Sequence, residues 1–431
     1  MRVVRRVVDT GKGTGSSMAP QSFICAIFLG AGAAGCVAGG DATPRQPAPA
    51  VRPGIEVLVA DSLHLVRGKR VGLITNHTGV DRTGRSDIDV LAEHPDVDLV
   101  ALFAPEHGIR GVERGGDAIE GGVDADTGLP IHSLYGATRR PSPEMLEGID
   151  VLLFDMQDVG ARYYTYASTM ALAMEAAGQA GIPFVVLDRP NPIRGDVVQG
   201  NVLDTAFSTF VGMYPVPMRH GMTHAELARL YVGEFGVRID LRVVPVDGWR
   251  RDMVYDETGL AWVPPSPNMP SVASALAYPG TCLFEGTPMS VGRGTERAFE
   301  WVGAPWIDAD ALTAALNDYG FEGVSFEPVS FTPAGAFDGK FDGQEVHGVR
   351  LAAESTDYDA PRVAVAMLLE TRRLSGERWQ WREQHFDRLS GTDALRLGID
   401  RGLGLDELTA EWGRAAADFE ALRAPYLLYE P

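Results

Sequence analysis

Four short apolar runs recur in the first half of the chain, each uninterrupted by polar residues and each ending in a polar cluster. Residues 71–75 lead into Asn76-His77-Thr78-Gly79, and residues 99–103 into Pro105-Glu106-His107-Gly108. Residues 151–154 lead into Asp155-Met156-Gln157-Asp158, and residues 184–187 into Asp188-Arg189-Pro190-Asn191-Pro192. Apolar runs without alternation mark strands buried on both faces of a parallel sheet. Helical segments lie between them, at residues 87–94 and 166–180, the second ended by Gly181 and Pro183. Thr223-His224-Ala225-Glu226 fits a capping box that opens another helix. The alternation predicts an α/β fold, a Rossmann-like doubly wound parallel sheet domain over residues 54–235. Ligands of such sheets bind outside the carboxyl ends of the strands, so the four polar clusters are expected to face one crevice.

Beyond Asp240 the texture changes. Pro264, Pro265, Pro267, Pro270 and Pro279 punctuate an irregular stretch, a glycine-rich segment follows, and helices are expected around 309–318, 359–374 and 406–423. Residues 236–431 therefore read as a second, smaller α+β domain. At the other end, Arg2, Arg5, Arg6 and Lys12 precede a short apolar run and the small residues 30–35, the layout of a signal peptide over residues 1–35. Cys36 follows directly, as in a bacterial lipoprotein, and residues 36–53, rich in Ala, Pro and Gly, read as a tether. An exported protein is expected, periplasmic or membrane-anchored, meeting the membrane only through a lipid at Cys36.

The net charge of −20, or −23 without residues 1–35, repels phosphate backbones, so no nucleic acid is expected as partner. Of three cysteines only Cys282 lies in the folded part, where a packed thiol is the ordinary reading. Glu106 at a strand end, beside His107 and Arg110, is placed to be aimed by rigid backbone. Asp155, Gln157, Asp158, Arg162, Tyr163 and Tyr166 form the densest polar and aromatic group, and carboxylates and amides among tyrosines suit a sugar. Residues 284–295 set Glu285 and Arg293 among glycines that allow close backbone approach. No Walker loop is present, the glycines of residues 30–35 match a dinucleotide fingerprint only by accident, and no G-x-S-x-G elbow lies in the folded part. His220 and His224 stand four apart without a ligand-rich partner motif, so neither metal nor cofactor is expected.

Taken in order, Thr75-Asn76-His77-Thr78-Gly79, the Pro105-Glu106-His107-Gly108 motif, the segment from Phe154 to Tyr166, Asp188-Arg189-Pro190-Asn191-Pro192, Ser266-Pro267-Asn268-Met269-Pro270 and Gly292-Arg293-Gly294-Thr295 resemble the NamZ family of exo-acting β-N-acetylmuramidases. The resemblance runs from about residue 55 to the C-terminus. It implies a glycoside hydrolase releasing N-acetylmuramic acid from the non-reducing end of peptidoglycan fragments, with muramoyl glycans as partners and an active site between two domains. Glu106 matches the family's catalytic glutamate. Val291 and Pro288 depart from a carboxylate and an asparagine frequent in the family, which leaves Glu285 as the nearest second carboxylate. Asn76, His77, His107, Arg110, Asp155, Gln157, Asp158, Arg162, Tyr163, Tyr166, Asn191, Asn268 and Arg293 are the expected substrate-binding residues. Among them Arg110, Arg162 and Arg293 are candidates for the substrate's lactyl carboxylate. The competing reading is a non-catalytic lipoprotein that binds cell-wall sugar through the same cleft. A nucleotide-dependent enzyme is disfavoured because the first strand ends in Thr-Asn-His-Thr-Gly and not in the glycine fingerprint.

Overall fold

The four apolar runs become adjacent strands whose successive side chains enter different halves of the core. Val71, Leu73, Val151, Leu153, Val185 and Leu187 pack on one face, and Ile74, Leu152, Phe154, Phe184 and Val186 on the other. Both faces are dry, which is why these runs lack alternation. The computed structural model describes residues 51–111, 117–336 and 338–430, so the expected signal peptide, Cys36 and nearly all of the tether lie outside the described residues.

The strands are β1 (Arg70–Thr75), β2 (Asp98–Ala104), β3 (Gly122–Val123), β4 (Pro130–Ser133), β5 (Val151–Asp155), β6 (Phe184–Leu187), β7 (Gln199–Val202), β8 (Pro217–Arg219) and β9 (Leu241–Val244), followed by β10 (Trp301–Ala304), β11 (Val324–Phe331) and β12 (Val346–Ala353). A seven-stranded sheet runs β3-β4-β2-β1-β5-β6-β9, parallel except for the short edge strand β3. Counted without β3, the parallel strands follow the order third, second, first, fourth, fifth, sixth. That is the Rossmann order, with its reversal between β1 and β5. β9 lies beyond residue 235, so the large sheet draws its last strand from the far side of the boundary expected there.

Helices α1 (Gly54–Asp61) and α2 (Asp87–Ala92) bury Ile55, Leu58, Ile88 and Leu91 on one face of the sheet. α3 (Tyr166–Ala180) and α4 (His224–Glu234) cover the other. The capping box at α4 forms: Thr223 Oγ1 accepts from the Glu226 amide at 3.3 Å, and Glu226 accepts from the Thr223 amide at 3.0 Å. The proline-punctuated region holds a helix that sequence reading missed, α5 (Val272–Thr281). Pro279 lies inside it and removes one N–H from the helix ladder two residues before its end, and Ser271 caps the start by accepting from the Ser274 amide at 3.1 Å.

The remaining helices are α6 (Ala309–Asn317), α7 (Ala360–Ser375), α8 (Glu383–Ser390), α9 (Ala394–Asp400), α10 (Leu405–Thr409) and α11 (Trp412–Arg423). Together with the antiparallel sheet β10-β12-β11 they form an α+β half. Its core residues Val302, Val349 and Met367 are continuous with the α3–α4 face of the large sheet, which makes the described residues one compact unit.

Candidate active site

At the end of β2 the chain turns sharply. His107 adopts φ +71° and Gly108 φ +70°, and the Gly108 amide closes back on the Pro105 carbonyl at 3.0 Å. A non-glycine residue in the left-handed region costs on the order of 1 kcal/mol and concentrates at functional sites. The turn carries Glu106 to a cavity of about 220 Å³. Thr165 Oγ1, just before α3, donates to Glu106 Oε2 at 2.6 Å. The Tyr135 hydroxyl is also bonded to Glu106, and burial, together with the charge of Glu106, pushes that phenol well above its ordinary pKa, so it stays a donor.

Glu285 reaches the same cavity from the 3₁₀ turn that follows α5. Arg293 Nε donates to Glu285 Oε1 at 3.0 Å, its Nη2 bonds the same oxygen, and His385 Nε2 stands 3.6 Å from Oε2. Burial pushes this carboxyl up, but the charge of Arg293 and the bonds from His385 and Arg293 outweigh it and hold the group down at about 2. Glu285 is therefore ionised at any working pH. From behind, Lys340 Nζ donates to the carbonyls of Phe284, Glu285 and Met289 at 3.0, 3.3 and 2.8 Å, and burial lowers its pKa to about 8. Gly286 lets α8 in: a Cβ there would lie 2.5 Å from Phe386 Cβ, and the Arg382 amide bonds the Gly286 carbonyl at 2.9 Å. α8 brings His385 and Arg388 to the cavity, where Arg388 Nη2 donates to His385 Nδ1.

Aromatic rings form the apolar wall. Tyr163 meets Tyr278 edge-on at 5.4 Å, and Tyr278 meets Phe299 at 4.7 Å and 89°. A sugar ring needs such apolar surface beside groups that bond its hydroxyls.

Of the expected residues, Glu106, His107, Tyr163, Glu285 and Arg293 line this cavity. The others are placed elsewhere, because most of the strand-end clusters close on one another. Asp155 is buried in an ion pair with Arg189, whose Nη2 lies 3.1 Å from Oδ2. Asn76 Nδ2 donates to the Tyr166 hydroxyl at 2.8 Å, which donates onward to the Pro265 carbonyl at 2.6 Å. Gln157 bonds the Asp158 and Pro190 carbonyls, Asp158 pairs with His224 at 3.1 Å, and Asn191 donates to the Met222 carbonyl at 3.0 Å. His77 Nε2 meets the Pro264 carbonyl at 2.7 Å.

The arginine candidates divide in the same way. Arg162 is buried and donates to four carbonyls, those of Asn201, Val216, Leu389 and Ser390, at 2.8–3.1 Å. Arg110 opens on a separate depression and pairs with Asp124 and Asp126 at 2.7 and 2.8 Å. Asn268 accepts from the Gly294 amide at 3.3 Å. The glycine-rich segment approaches protein instead of ligand: a Cβ on Gly294 would lie 2.8 Å from the Ala334 carbonyl oxygen. Val291 is wholly buried in the main core.

Tyr135, Thr165, His385 and Arg388 were missed. Thr165 stood inside the tyrosine-rich motif, and His385 and Arg388 share a helix face at i, i+3. Nothing local to the chain marks Tyr135.

Residues 71–273 match the family model of the exo-β-N-acetylmuramidase NamZ N-terminal part, and residues 276–429 that of its C-terminal part. The peptidoglycan β-N-acetylmuramidase NamZ of Bacillus subtilis is 44% identical over 383 residues, spanning 88% of this chain and 92% of that protein. The chain belongs to the NamZ family. Membership in the NamZ family makes it a glycoside hydrolase, as the motifs implied. Two crystal structures of DUF1343 family proteins from Bacteroides fragilis share the fold. One is 38% identical with a TM-score of 0.82, over 88% of this chain and 99% of that one. The other is 33% identical with a TM-score of 0.71, over 89% and 99%. The junction of the two NamZ models falls within α5, directly before the turn that bears Glu285.

Proposed function

We propose that this protein cleaves N-acetylmuramic acid from the non-reducing end of peptidoglycan fragments, in the cleft between its two halves, with Glu106 as general acid. One observation carries the reading: two carboxyl groups from different halves of the chain open on one small aromatic-walled cavity, and their surroundings differ. Glu285, held ionised by Arg293 and His385, has no proton to give. Protonation of the leaving oxygen falls to Glu106, whose rotamer is set by Thr165 and Tyr135. Glu285 then supplies negative charge to the oxocarbenium-like transition state, or orients the attacking water or the substrate's 2-acetamido group. In a cavity of this size a chain end fits more readily than a through-running glycan, in keeping with exo action.

The test is turnover of a chromogenic N-acetylmuramide by purified wild type and Glu106→Gln. Wild-type turnover that the variant loses is the expected result; a variant within about tenfold of wild type removes Glu106 from the acid role. Proton NMR of the first-formed anomer separates retention from inversion. Export by residues 1–35 with lipidation of Cys36 would place the enzyme beside the wall. Loss of detergent partitioning in Cys36→Ala tests that placement.

A further inference from the structure

We propose that Arg388 reads the lactyl carboxylate that distinguishes muramic acid from other 2-acetamido sugars, and so sets substrate choice. The inference rests on the muramidase reading above. A protein of net charge −20 that takes an anionic sugar needs a local cation, and a guanidinium fork suits a carboxylate best. The structure removes the three arginines that the sequence offered. Arg162 is committed to main-chain carbonyls, Arg110 to Asp124 and Asp126 outside the cavity, and Arg293 to Glu285.

Arg388 remains. It lines the cavity, is exposed to solvent, and among the described residues has no carboxylate within ion-pair distance. Its described partner is His385 Nδ1. That bond has a second consequence. With Nδ1 accepting, the ring proton of His385 sits on Nε2, the atom that faces Glu285. Arg388 thus braces the imidazole with one N–H while most of its fork stays available to a substrate anion. α8 fixes both side chains one turn apart, and its docking onto Gly286 fixes α8. The nearest rival is Arg139, stacked 4.3 Å over the Phe210 ring outside the cavity lining.

The experiment compares kcat/KM for a chromogenic N-acetylmuramide bearing a free lactyl carboxylate with kcat/KM for its lactyl methyl ester. Wild type should prefer the acid. In Arg388→Met the acid-to-ester ratio should fall about 10–100-fold, the range expected for losing a charge-assisted pair. Arg388→Lys, which keeps charge without the fork, should recover part of it. A ratio held within about twofold in Arg388→Met, or one that collapses instead in Arg139→Met, overturns the assignment. So does an equal loss on both substrates, which would trace the effect to His385 and Glu285. Should Arg388→Met not fold, calorimetry of free N-acetylmuramic acid and its methyl ester binding to Arg388→Gln, which removes the charge but keeps a polar side chain, makes the corresponding comparison, and a wild-type affinity ratio there also overturns it. A wild type that turns over acid and ester alike overturns carboxylate recognition and leaves the hydrolase reading standing. A wild type that cleaves neither overturns both.

Discussion

Thr165 donates its hydroxyl proton to Glu106 at 2.6 Å across the carboxyl end of β1. Glu106 follows β2 and Thr165 follows β5, and these strands flank β1 at the point where the sheet order reverses. The hydrogen bond thus spans the crevice that a doubly wound sheet opens at its switch point. It couples the Glu106 carboxyl to the start of α3, a rigid element, and so fixes where the proposed acid would deliver its proton.

Replacing Thr165 by Val should lower kcat for a chromogenic muramide about tenfold with little change in KM. An isosteric methyl preserves packing but leaves the carboxyl less well aimed. Thr165→Ser, which keeps the hydroxyl, should restore most of the rate. A Val variant with full kcat would show that Tyr135 and the β2 turn alone suffice to hold Glu106.

Glu285→Gln should cost both turnover and stability, because Arg293 keeps its charge in a site where it is 14% exposed. Breaking a fully buried pair costs about 3–5 kcal/mol, so a partly exposed one should cost on the order of 2 kcal/mol. The double variant Glu285→Gln/Arg293→Met should regain stability without regaining turnover. Urea denaturation and a chromogenic assay separate the two effects, and unchanged turnover in the single variant would remove Glu285 from the mechanism.

Arg162→Met should behave as a structural lesion. Four carbonyls from three segments lose their shared donor, a loss on the order of 3 kcal/mol. Thermal denaturation should show a large drop in Tm, while the acid-to-ester ratio of the surviving activity stays that of wild type. A selective loss on the acid substrate would return Arg162 to the binding site.

His220 should make the fold acid-sensitive. Burial lowers its pKa from 6.5 to about 4, so the unfolded chain takes up a proton before the native state does. Stability from the neutral imidazole is complete above about pH 6.5 and is lost as pH falls toward 4, on the order of 3 kcal/mol in all. Asp188, pushed up to about 6 mainly by burial, has the opposite slope between 3.8 and 6. The comparison with a variant therefore isolates His220. His220→Asn, which can still accept from the Met222 amide as Nδ1 does at 3.1 Å, should lose less Tm than wild type between about pH 6.5 and 4. Parallel curves would exclude the histidine.

The two-sided sheet was legible because burial on both faces leaves a local mark, an unbroken apolar run, and the α4 capping box was legible because its two partners are three residues apart. α5 was not, since a proline costs a helix one ladder bond and reads as a break, and only burial of nearly the whole segment shows the helix running past Pro279. Glu106 could be singled out by its position at a strand end. Asp155, Gln157 and Asn191 stood at equally promising ends, yet they serve a buried network. Strand-end position says that a side chain reaches the rim of the sheet, and not whether another loop has already taken its hydrogen bonds.

The chain by itself determined the α/β layering and the family motifs, because these are encoded in short windows where periodicity and motif spacing act. The tertiary structure decided which charges are available. Arg162 stood in a sequence motif and Arg388 in none, yet Arg162 lies under four carbonyls and Arg388 lines the cavity. Charge pairing and desolvation depend on distances between segments hundreds of residues apart, and no local pattern carries those distances.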